Sequence, residues 1–152
     1  MELQEERVSL ELMDEVWPLL EEHAKELNIY KCPLEPNVPM YLKAGNSGAL
    51  AVYIMRDNGK LIGYAAYWIC RHPHYNIQVA SQDVIYLDMA YRKGRSGIKL
   101  IKFSEKKLKE DYKVDVIVQQ SKVNKSLDKL FEYMEYDHIE RVYAKVVSNR
   151  EI

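Results

Sequence analysis

A short basic turn carries the residues of this sequence that are best suited to chemistry. The turn is Arg92-Lys93-Gly94-Arg95-Ser96-Gly97, between a buried strand and the start of a helix. The first amides of a helix have no partner within the helix, and the helix dipole adds partial positive charge there. The glycines let a ligand approach the backbone, and the two arginines add charge-assisted hydrogen bonds. The pattern predicts an anion site, with a pyrophosphate as its natural ligand.

This turn differs from two well-known phosphate-binding loops. It lacks the G-x-x-x-x-G-K-[ST] spacing of a P-loop and the G-x-G-x-x-G spacing of a dinucleotide-binding loop. The alternative to an anion site is a basic turn whose glycine only permits tight packing. Taken alone, the turn fits both interpretations.

Hydrophobic periodicity predicts the elements that position the turn. Helices are expected over residues 10–28, 40–44 and 97–110. A further helix is expected where Leu127, Leu130, Phe131 and Met134 share one face, with Asn124 as its N-cap. Strands are expected over residues 49–56, 61–70, 83–89, 114–118 and 139–147. The first two strands flank Asn58-Gly59, a strong hairpin signal. This order predicts a mixed α/β sheet with helices on both faces.

Composition places the chain among ordinary globular proteins. Its 152 residues fit a single domain. A net charge of −1 provides no excess of positive charge that would attract nucleic acid or an anionic membrane. Cys32 and Cys70 lie far apart without metal-ligand spacing, so free thiols in a reducing compartment are expected. The acidic N-terminus is unlike a signal peptide, and no apolar run approaches the roughly 20 residues that span a bilayer. These features predict a cytoplasmic protein without nucleic-acid or membrane partners.

With its surroundings, the basic turn resembles the acetyl-CoA site of the GNAT superfamily of N-acetyltransferases, whose signature is R/Q-x-x-G-x-G/A. Arg92 and Gly97 match this signature, its middle glycine falls on Arg95, and Gly94 stands one place earlier. Residues 57–64 resemble the family's second hairpin, and residues 124–136 resemble its last helix. His72-Pro73-His74-Tyr75 and residues 82–87 are similar to a subgroup common in bacteriophage genomes.

The resemblance implies one GNAT domain over residues 1–152. Its fold would be α/β (α+β), with a mixed, mostly antiparallel sheet of about six to seven strands. Strands 83–89 and 114–118 would splay apart into a V that takes the pantetheine arm of acetyl-CoA, the cosubstrate. The implied acetyl-CoA contacts are Leu87, Asp88, Met89, Arg92, Lys93, Gly94, Arg95, Ser96, Gly97, Ile98 and Asn124.

The resemblance also implies direct acetyl transfer to a primary amine in a ternary complex. The amine belongs to a small molecule, a peptide or a protein lysine. Asp83 is the expected base, on a strand face shared with Ile85 and Leu87; a solvated strand-end aspartate is the alternative. A second cluster is expected to shape the amine pocket or transfer protons, or else to be a surface turn. Its members are His72, His74 and Tyr75.

Phe131 stands where many family members have a tyrosine acid, so Tyr136 is the remaining candidate acid. This departure keeps a second function open, namely a GNAT-like module that binds acyl-CoA or a partner without turnover. No base accompanies Cys70, which argues against a cysteine nucleophile. No ligand spacing supports a metal site. The lysines of helix 97–110 are expected to be a solvated face rather than a nucleic-acid patch. Dimers are common in the family, so a homodimer is also implied.

Overall fold

One sheet organises the structure, a computed structural model that describes residues 1–27 and 30–149. Its strands, within these residues, are β1 Glu2–Glu5, β2 Leu50–Asp57, β3 Lys60–Arg71, β4 Gln78–Leu87 and β5 Val116–Val118. The helices are α1 Leu10–Leu27, α2 Val38–Ser47, α3 Ser96–Tyr112 and α4 Asp128–Tyr133, with a 3-10 turn at Met89–Tyr91. The strands lie in chain order, all antiparallel except β4 and β5, which run parallel. The predicted mixed, mostly antiparallel α/β architecture is confirmed.

The predicted hairpin forms the centre of the sheet. Asp57 and Lys60 close it, and Asn58 and Gly59 both have positive φ, 48° and 79°. Two positive φ values give a turn whose twist matches that of the flanking strands. β3 is buried along most of its length, as expected for a central strand.

Helices cover both faces of the sheet because successive residues of a strand point to opposite sides. On one face, Tyr53 and Met55 of β2 pack in a cluster with Leu100 and Leu108 of α3. On the other face, Ile54 packs in a cluster with residues of α1. α2 covers the same face as α1, next to Leu50 and Ala66. Among the described helices, none combines the length and apolarity that crossing a membrane requires.

Local hydrogen bonds explain where α1 and α2 begin, and a glycine explains where α2 ends. The Ser9 hydroxyl accepts a hydrogen bond from the Leu12 amide at 3.1 Å, and the Asn37 side chain accepts one from the Met40 amide at 3.1 Å. Each bond satisfies an amide that the helix leaves unpaired. Gly48, with a φ of 78°, ends α2 in the left-handed conformation that glycine adopts most readily.

The predicted set of strands is wrong at both ends of the chain. Residues 139–147 belong to no strand, and β1, which was not expected, pairs with β2 at the far edge. The described sheet therefore has five strands, fewer than expected, because an apolar alternating pattern becomes a strand only beside a partner. The predicted end of the first helix at residue 28 lies outside the described residues.

Asn124 does not cap the last helix, contrary to the prediction. Its amide nitrogen lies 3.4 Å from the carbonyl oxygens of Glu26 and Leu27, at the end of α1. Serines supply hydrogen bonds where α4 starts: the Ser121 hydroxyl accepts from the Leu127 amide at 2.8 Å, and a second serine accepts from Asp128. The helix therefore begins later than Asn124 would allow.

We expect Lys113→Gly to stabilise the protein. Lys113 ends α3 with a φ of 55° and a ψ of 38°, a left-handed conformation that costs an L-residue about 1–2 kcal/mol. The added freedom of glycine in the unfolded chain offsets about 0.4–1 kcal/mol of that gain. Urea unfolding should therefore show a net increase of roughly 0.5–1 kcal/mol. Lys106→Gly, the same change inside α3, is the control and should lower the free energy of unfolding by about 1 kcal/mol. A loss of stability at both positions would contradict this account.

Candidate active site

β4 and β5 separate soon after they begin to pair. Their parallel ladder joins Val79 to Val116, Ala80 to Ile117, and Ser81 to Val118. β5 ends there, whereas β4 continues to Leu87. Beyond Ser81, one edge of β4 faces no strand in the described chain, although the Leu87 carbonyl at its end accepts a hydrogen bond from Arg92. The rest of this edge could pair with an extended ligand that carries amides.

A bulge in β4 redirects Asp83. Ala66 of β3 lies opposite Val84 and Tyr67 lies opposite Gln82, so Asp83 is the extra residue between them. A bulge interrupts the alternation of side chains. The prediction that Asp83 shares a face with Ile85 and Leu87 is therefore wrong, since those two pack on the α3 side. Asp83 also lies within β4 rather than at its start.

The Asp83 carboxylate instead joins β4 to the α2 side of the sheet. It accepts hydrogen bonds from the Tyr41 hydroxyl and from the Trp68 indole N–H, both at 2.8 Å. Burial raises the pKa of Tyr41 above its ordinary value, and the Asp83 carboxylate raises it further, so Tyr41 stays a donor at neutral pH. A carboxylate has about four lone-pair sites, so each oxygen of Asp83 can accept one further bond.

The start of α3 has no side-chain capping bond in the described chain, although the Ser96 hydroxyl donates to Met1 Sδ at 3.6 Å. Arg95 is the N-cap residue and its side chain makes no capping bond, while the Lys99 amide makes the first helical bond, to the Arg95 carbonyl. The amides of Ser96, Gly97 and Ile98 therefore have no helical acceptor. Gly94 has a φ of 102°, and a Cβ there would meet no atom within 4 Å. The glycine thus serves backbone conformation in open space rather than packing.

The Arg92 side chain makes its contacts within the protein. Its Nε donates to the Leu87 carbonyl at 2.8 Å, its NH2 group donates to Glu26 at 2.8 Å, and its guanidinium lies 5.1 Å from the centre of the Tyr86 ring. Within the described residues, the side chains of Lys93 and Arg95 are exposed and make no hydrogen bond or ion pair. Within the basic turn, these two side chains are therefore free to meet an anion.

Asp88, just before the basic turn, also makes hydrogen bonds within the protein. The Asp88 carboxylate accepts a hydrogen bond from the Ala90 amide at 2.9 Å, and the Asp88 amide donates to the Ile62 carbonyl at 2.7 Å. Met89 is exposed. Asn124 lies at the end of α1, where Glu26 also meets Arg92, so the last turn of α1 contacts both the basic turn and the segment after β5.

A polar network lies where β5 ends, and the sequence prediction missed most of it. The Gln119 side-chain amide donates at 3.1 Å to both Tyr67 and Tyr136, and the Tyr136 hydroxyl donates to Glu105 at 2.7 Å. The buried Gln119 Oε1 has no hydrogen-bond partner among residues 1–27 and 30–149. The Gln82 side chain accepts from the backbone of Gln120 at 2.7 Å, immediately past the last strand pair.

Burial dominates the titration of the two tyrosines in this network. It raises the pKa of Tyr67 to about 12, and it raises the pKa of Tyr136 above its ordinary value, with Glu105 adding to the effect. Both hydroxyls keep their protons at neutral pH. Polar residues directly after a short apolar strand were the available sequence signal for this network.

The histidine cluster is brought together but lies apart from Asp83. His72 stacks on Tyr75 with ring centres 4.9 Å apart and lies 5.6 Å from the His74 ring, on the exposed turn between β3 and β4. Roughly 16 Å of strand separates the start of β4 from Asp83. Among the described residues, no group of three metal-ligating side chains comes together.

The overall arrangement matches structures of known enzymes, although no family model and no curated sequence matches the chain. A ribosomal-protein-alanine N-acetyltransferase from Brucella melitensis biovar Abortus 2308 superposes with a TM-score of 0.71 at 17% identity, over 96% of this chain and 99% of that one. An aminoglycoside N-acetyltransferase in complex with CoA gives 0.70 at 14% identity, over 97% and 99%. The fold is the GNAT fold.

A third structure sharing this GNAT fold also holds a related ligand. It is a predicted acetyltransferase with acetyl-CoA from Clostridium acetobutylicum, with a TM-score of 0.71 at 11% identity over 96% of this chain and 97% of that chain. At such low identity the likeness concerns the fold.

The buried His23 should make the stability of the protein depend on pH. It packs on Tyr86 at 4.9 Å, and burial lowers its pKa from 6.5 to about 4, with Arg92 and Lys122 lowering it further and Glu26 opposing them. Above pH 6.5 both the folded and unfolded states are neutral at this residue. Below it the unfolded chain takes up a proton that the folded protein excludes until about pH 4, so stability falls through this window, by at most about 3 kcal/mol.

His23→Phe keeps a ring against Tyr86 and should reduce this loss. Urea unfolding at pH 7 and at about pH 4.5 is the measurement, because the second value lies inside the window. His74→Phe, on the exposed β3–β4 turn, is the control for losing an imidazole that is not buried. If wild type and His23→Phe lose equal stability between the two pH values, the buried neutral histidine is not the cause.

Proposed function

We propose that this protein is an N-acetyltransferase that transfers an acetyl group from acetyl-CoA to a primary amine. The observation that carries the proposal is the open edge of β4, which runs from the Asp83 bulge to a helix start with unpaired amides. From Asp83 to Leu87 this edge is roughly 13 Å long. An extended ligand with amides along its length and a diphosphate at one end fits such a surface, and acetyl-CoA has this form.

The diphosphate would lie at the basic turn. The amides of Ser96, Gly97 and Ile98 supply donors, and Lys93 and Arg95 supply positive charge. Arg92 acts differently from the sequence prediction: its bonds to Leu87 and Glu26 brace the turn rather than contact the ligand. Leu87, Asp88, Met89 and Asn124 remain proposed contacts along the path of the arm. Two structures with this fold that hold CoA or acetyl-CoA support the choice of ligand.

Asp83 is the proposed base. Acetyl-CoA supplies an activated carbonyl carbon, and the amine nitrogen forms a bond to it as the carbon–sulfur bond breaks. Asp83, held by Tyr41 and Trp68, accepts the proton of the attacking amine directly or through water. The amine would therefore approach from the α2 side of the sheet, where the Asp83 carboxylate lies. His72, His74 and Tyr75 are proposed to act only at the outer part of this path.

Tyr136 is the proposed donor to the leaving sulfur. Its raised pKa keeps the hydroxyl protonated, but that proton is directed to Glu105, so Tyr136 would have to rotate towards the ligand. The unpaired Gln119 Oε1 lies beside it and would accept a hydrogen bond from a ligand amide. The similarity of residues 72–75 and 82–87 to a bacteriophage subgroup is part of the same proposal.

A binding module without turnover is the second candidate, and two observations favour it. Phe131 is buried at the position where the family usually has a tyrosine, and Tyr136 is already bonded to Glu105. Normal acetyl-CoA binding, without acetylation of small amines, peptides or proteins in a cell lysate, would support this candidate over the enzyme.

Removing the free cations of the turn should weaken coenzyme binding. We expect Lys93→Ala combined with Arg95→Ala to raise the Kd for CoA about tenfold or more, since each charge-assisted hydrogen bond contributes roughly 1.5 kcal/mol or more. Isothermal titration calorimetry with CoA measures this. Pantetheine, which lacks the diphosphate, should bind both proteins equally. Lys106→Ala together with Lys102→Ala removes the same charge from the exposed side of α3 and should leave the Kd unchanged.

Asp83→Asn should lower kcat about a hundredfold or more, in the range that general-base catalysis contributes. The reason is that an amide cannot take up the amine proton, although it fills the same space. Release of CoA with a panel of amines, peptides and lysine-containing proteins measures the rate. Tyr41→Phe, which removes one donor to Asp83 but leaves the carboxylate, should have a much smaller effect. Unchanged kcat in Asp83→Asn would exclude Asp83 as the base without affecting the coenzyme site.

A further inference from the structure

Two aromatic side chains border the Asp83 carboxylate on the α2 side of the sheet. The ring centres of Tyr41 and Trp68 lie 5.5 Å apart, and each side chain donates a hydrogen bond to this carboxylate. Trp68 is the one residue between Leu61 and Ile69 that is not buried, and Tyr41 and Asp83 are also partly exposed. An incoming molecule can therefore reach both rings and the carboxylate that they hold.

Apolar side chains extend this surface. Met13 of α1 and Val84 of β4 are partly buried, and they pack against the same buried cluster as Tyr41 and Trp68. A site that is mostly apolar, with a few placed polar groups, suits a ligand of the same composition. The surroundings of Asp83 therefore favour an apolar substituent next to the reacting nitrogen.

The elements that hold these side chains contribute a single carboxylate. The charged residues of β3 are Lys60 and Arg71, that of α2 is Lys43, and that of β4 is Asp83. Burial raises the pKa of Tyr41, and Asp83 is the one charged group that adds to this rise within the described residues. One carboxylate can neutralise one ammonium group, so a second ammonium would have no partner here.

The acidic residues of α1 do not change this balance. Three of them form ion pairs elsewhere, namely Glu15 with Arg56, Glu22 with Lys25 and Glu26 with Arg92. The others are exposed to solvent: Glu11, Asp14 and Glu21. The residue of α1 that packs in the cluster with the two rings is the uncharged Met13. Asp83 therefore remains the carboxylate of this site.

A buried hydroxyl near Asp83 lacks a partner. Tyr64 is 2% exposed, and its hydroxyl makes no hydrogen bond within residues 1–27 and 30–149. Burial raises the pKa of Tyr64, and Tyr86, Asp83 and Tyr41 add to the rise, so these groups lie within electrostatic reach of it. Because an unpaired buried hydroxyl is costly, its oxygen is suited to a donor that a ligand brings.

We propose that the acceptor is a primary monoamine with an aromatic or aliphatic substituent, either a small free amine or the N-terminus of a peptide that begins with an apolar residue. This inference rests on the proposed function, in which Asp83 receives the proton of the amine. The ammonium group would bind Asp83 beside the faces of Tyr41 and Trp68, which attract cations. One of its three N–H groups would remain for the Tyr64 hydroxyl.

The same contacts would select against amines with several charges. The bound ammonium loses one proton to Asp83, and the nitrogen lone pair then attacks the acetyl carbon as the CoA sulfur leaves. The apolar substituent would lie over Met13 and Val84. A polycationic amine would place its second ammonium on that surface without a carboxylate, so it should be a poor acceptor.

Matched amines test the selectivity of the wild-type protein. Hexylamine and hexamethylenediamine have the same chain length and differ in the second ammonium group. From CoA release, kcat/KM should be at least about tenfold higher for hexylamine, and phenethylamine should likewise exceed spermidine and an aminoglycoside. The peptides Phe-Gly-Gly and Lys-Gly-Gly show whether the source of the amine is a peptide N-terminus. Equal or better acetylation of the polycationic amines would overturn the inference and leave acetyl transfer itself intact.

Calorimetry with the CoA-loaded protein separates this inference from the proposed function. Hexylamine should bind at least about tenfold more tightly than hexamethylenediamine, whether or not an acetyl group is ever transferred. If no amine releases CoA from acetyl-CoA but this order of binding holds, acetyl transfer is wrong and the selectivity of the site is supported. Equal binding of the two amines would overturn the selectivity.

Two variants of Trp68 test the role of its ring. Trp68→Gln removes the ring and keeps an N–H donor for Asp83, whereas Trp68→Phe keeps a ring and removes the donor. The ratio of kcat/KM for phenethylamine to that for methylamine should fall about tenfold in Trp68→Gln and stay within about twofold in Trp68→Phe. Circular dichroism checks that each variant is folded. Equal ratios in the two variants would contradict a contact between the ring and the substituent.

Discussion

The early divergence of β4 and β5 is the constraint on which the rest of the site depends. The strands pair for three residues each, Val79–Ser81 with Val116–Val118, and side chains replace the ladder at the next step. Gln82 accepts a hydrogen bond from the backbone of Gln120, and Gln119 bonds to two tyrosines. These bonds satisfy most of the polar groups nearest the point where the strands separate, with Gln119 Oε1 as an exception among the described residues, and β4 continues beyond them without a neighbour on this edge.

The gap between β4 and β5 connects the two faces of the sheet. The bulge at Asp83 determines which side chains lie beside this gap. Asp83 faces the α2 side, held by Tyr41 and Trp68, whereas Tyr136 lies on the α3 side with Glu105. In an acyl transfer the attacking amine loses a proton and the leaving sulfur gains one, at opposite sides of the carbonyl carbon. The positions of the proposed base, Asp83, and the proposed acid, Tyr136, on opposite faces of the sheet suit that requirement. Without the bulge, Asp83 would follow the ordinary alternation of the strand and lie with Ile85 on the wrong face.

Sequence reasoning succeeded where the determinant is local and failed where it is not. The Asn58-Gly59 turn and the start of α3 depend on a few neighbouring residues, and both were predicted. A one-residue bulge has no local signature, because the shift is defined against Tyr67 on another strand. The network of Gln119 joins residues distant in sequence, and β1 has only Leu3 as an apolar signal, since it depends on pairing with β2. The alternating pattern of residues 139–147 predicts a strand, but the pattern contains no information about a neighbouring strand.

The basic turn, the proposed site of the diphosphate, combines one arginine that is bonded within the protein with two cations that are not. If both arginines were free, the turn would have to be ordered when the ligand binds, at a cost in free energy. Arg92 instead bonds to Leu87 and Glu26, which ties the turn to the end of β4 and to α1 before any ligand arrives. Glu26 neutralises Arg92, so the remaining positive charge belongs to Lys93 and Arg95, close to the unpaired amides. One arginine therefore serves the shape of the turn and the other its charge, a division that the sequence signature alone does not reveal.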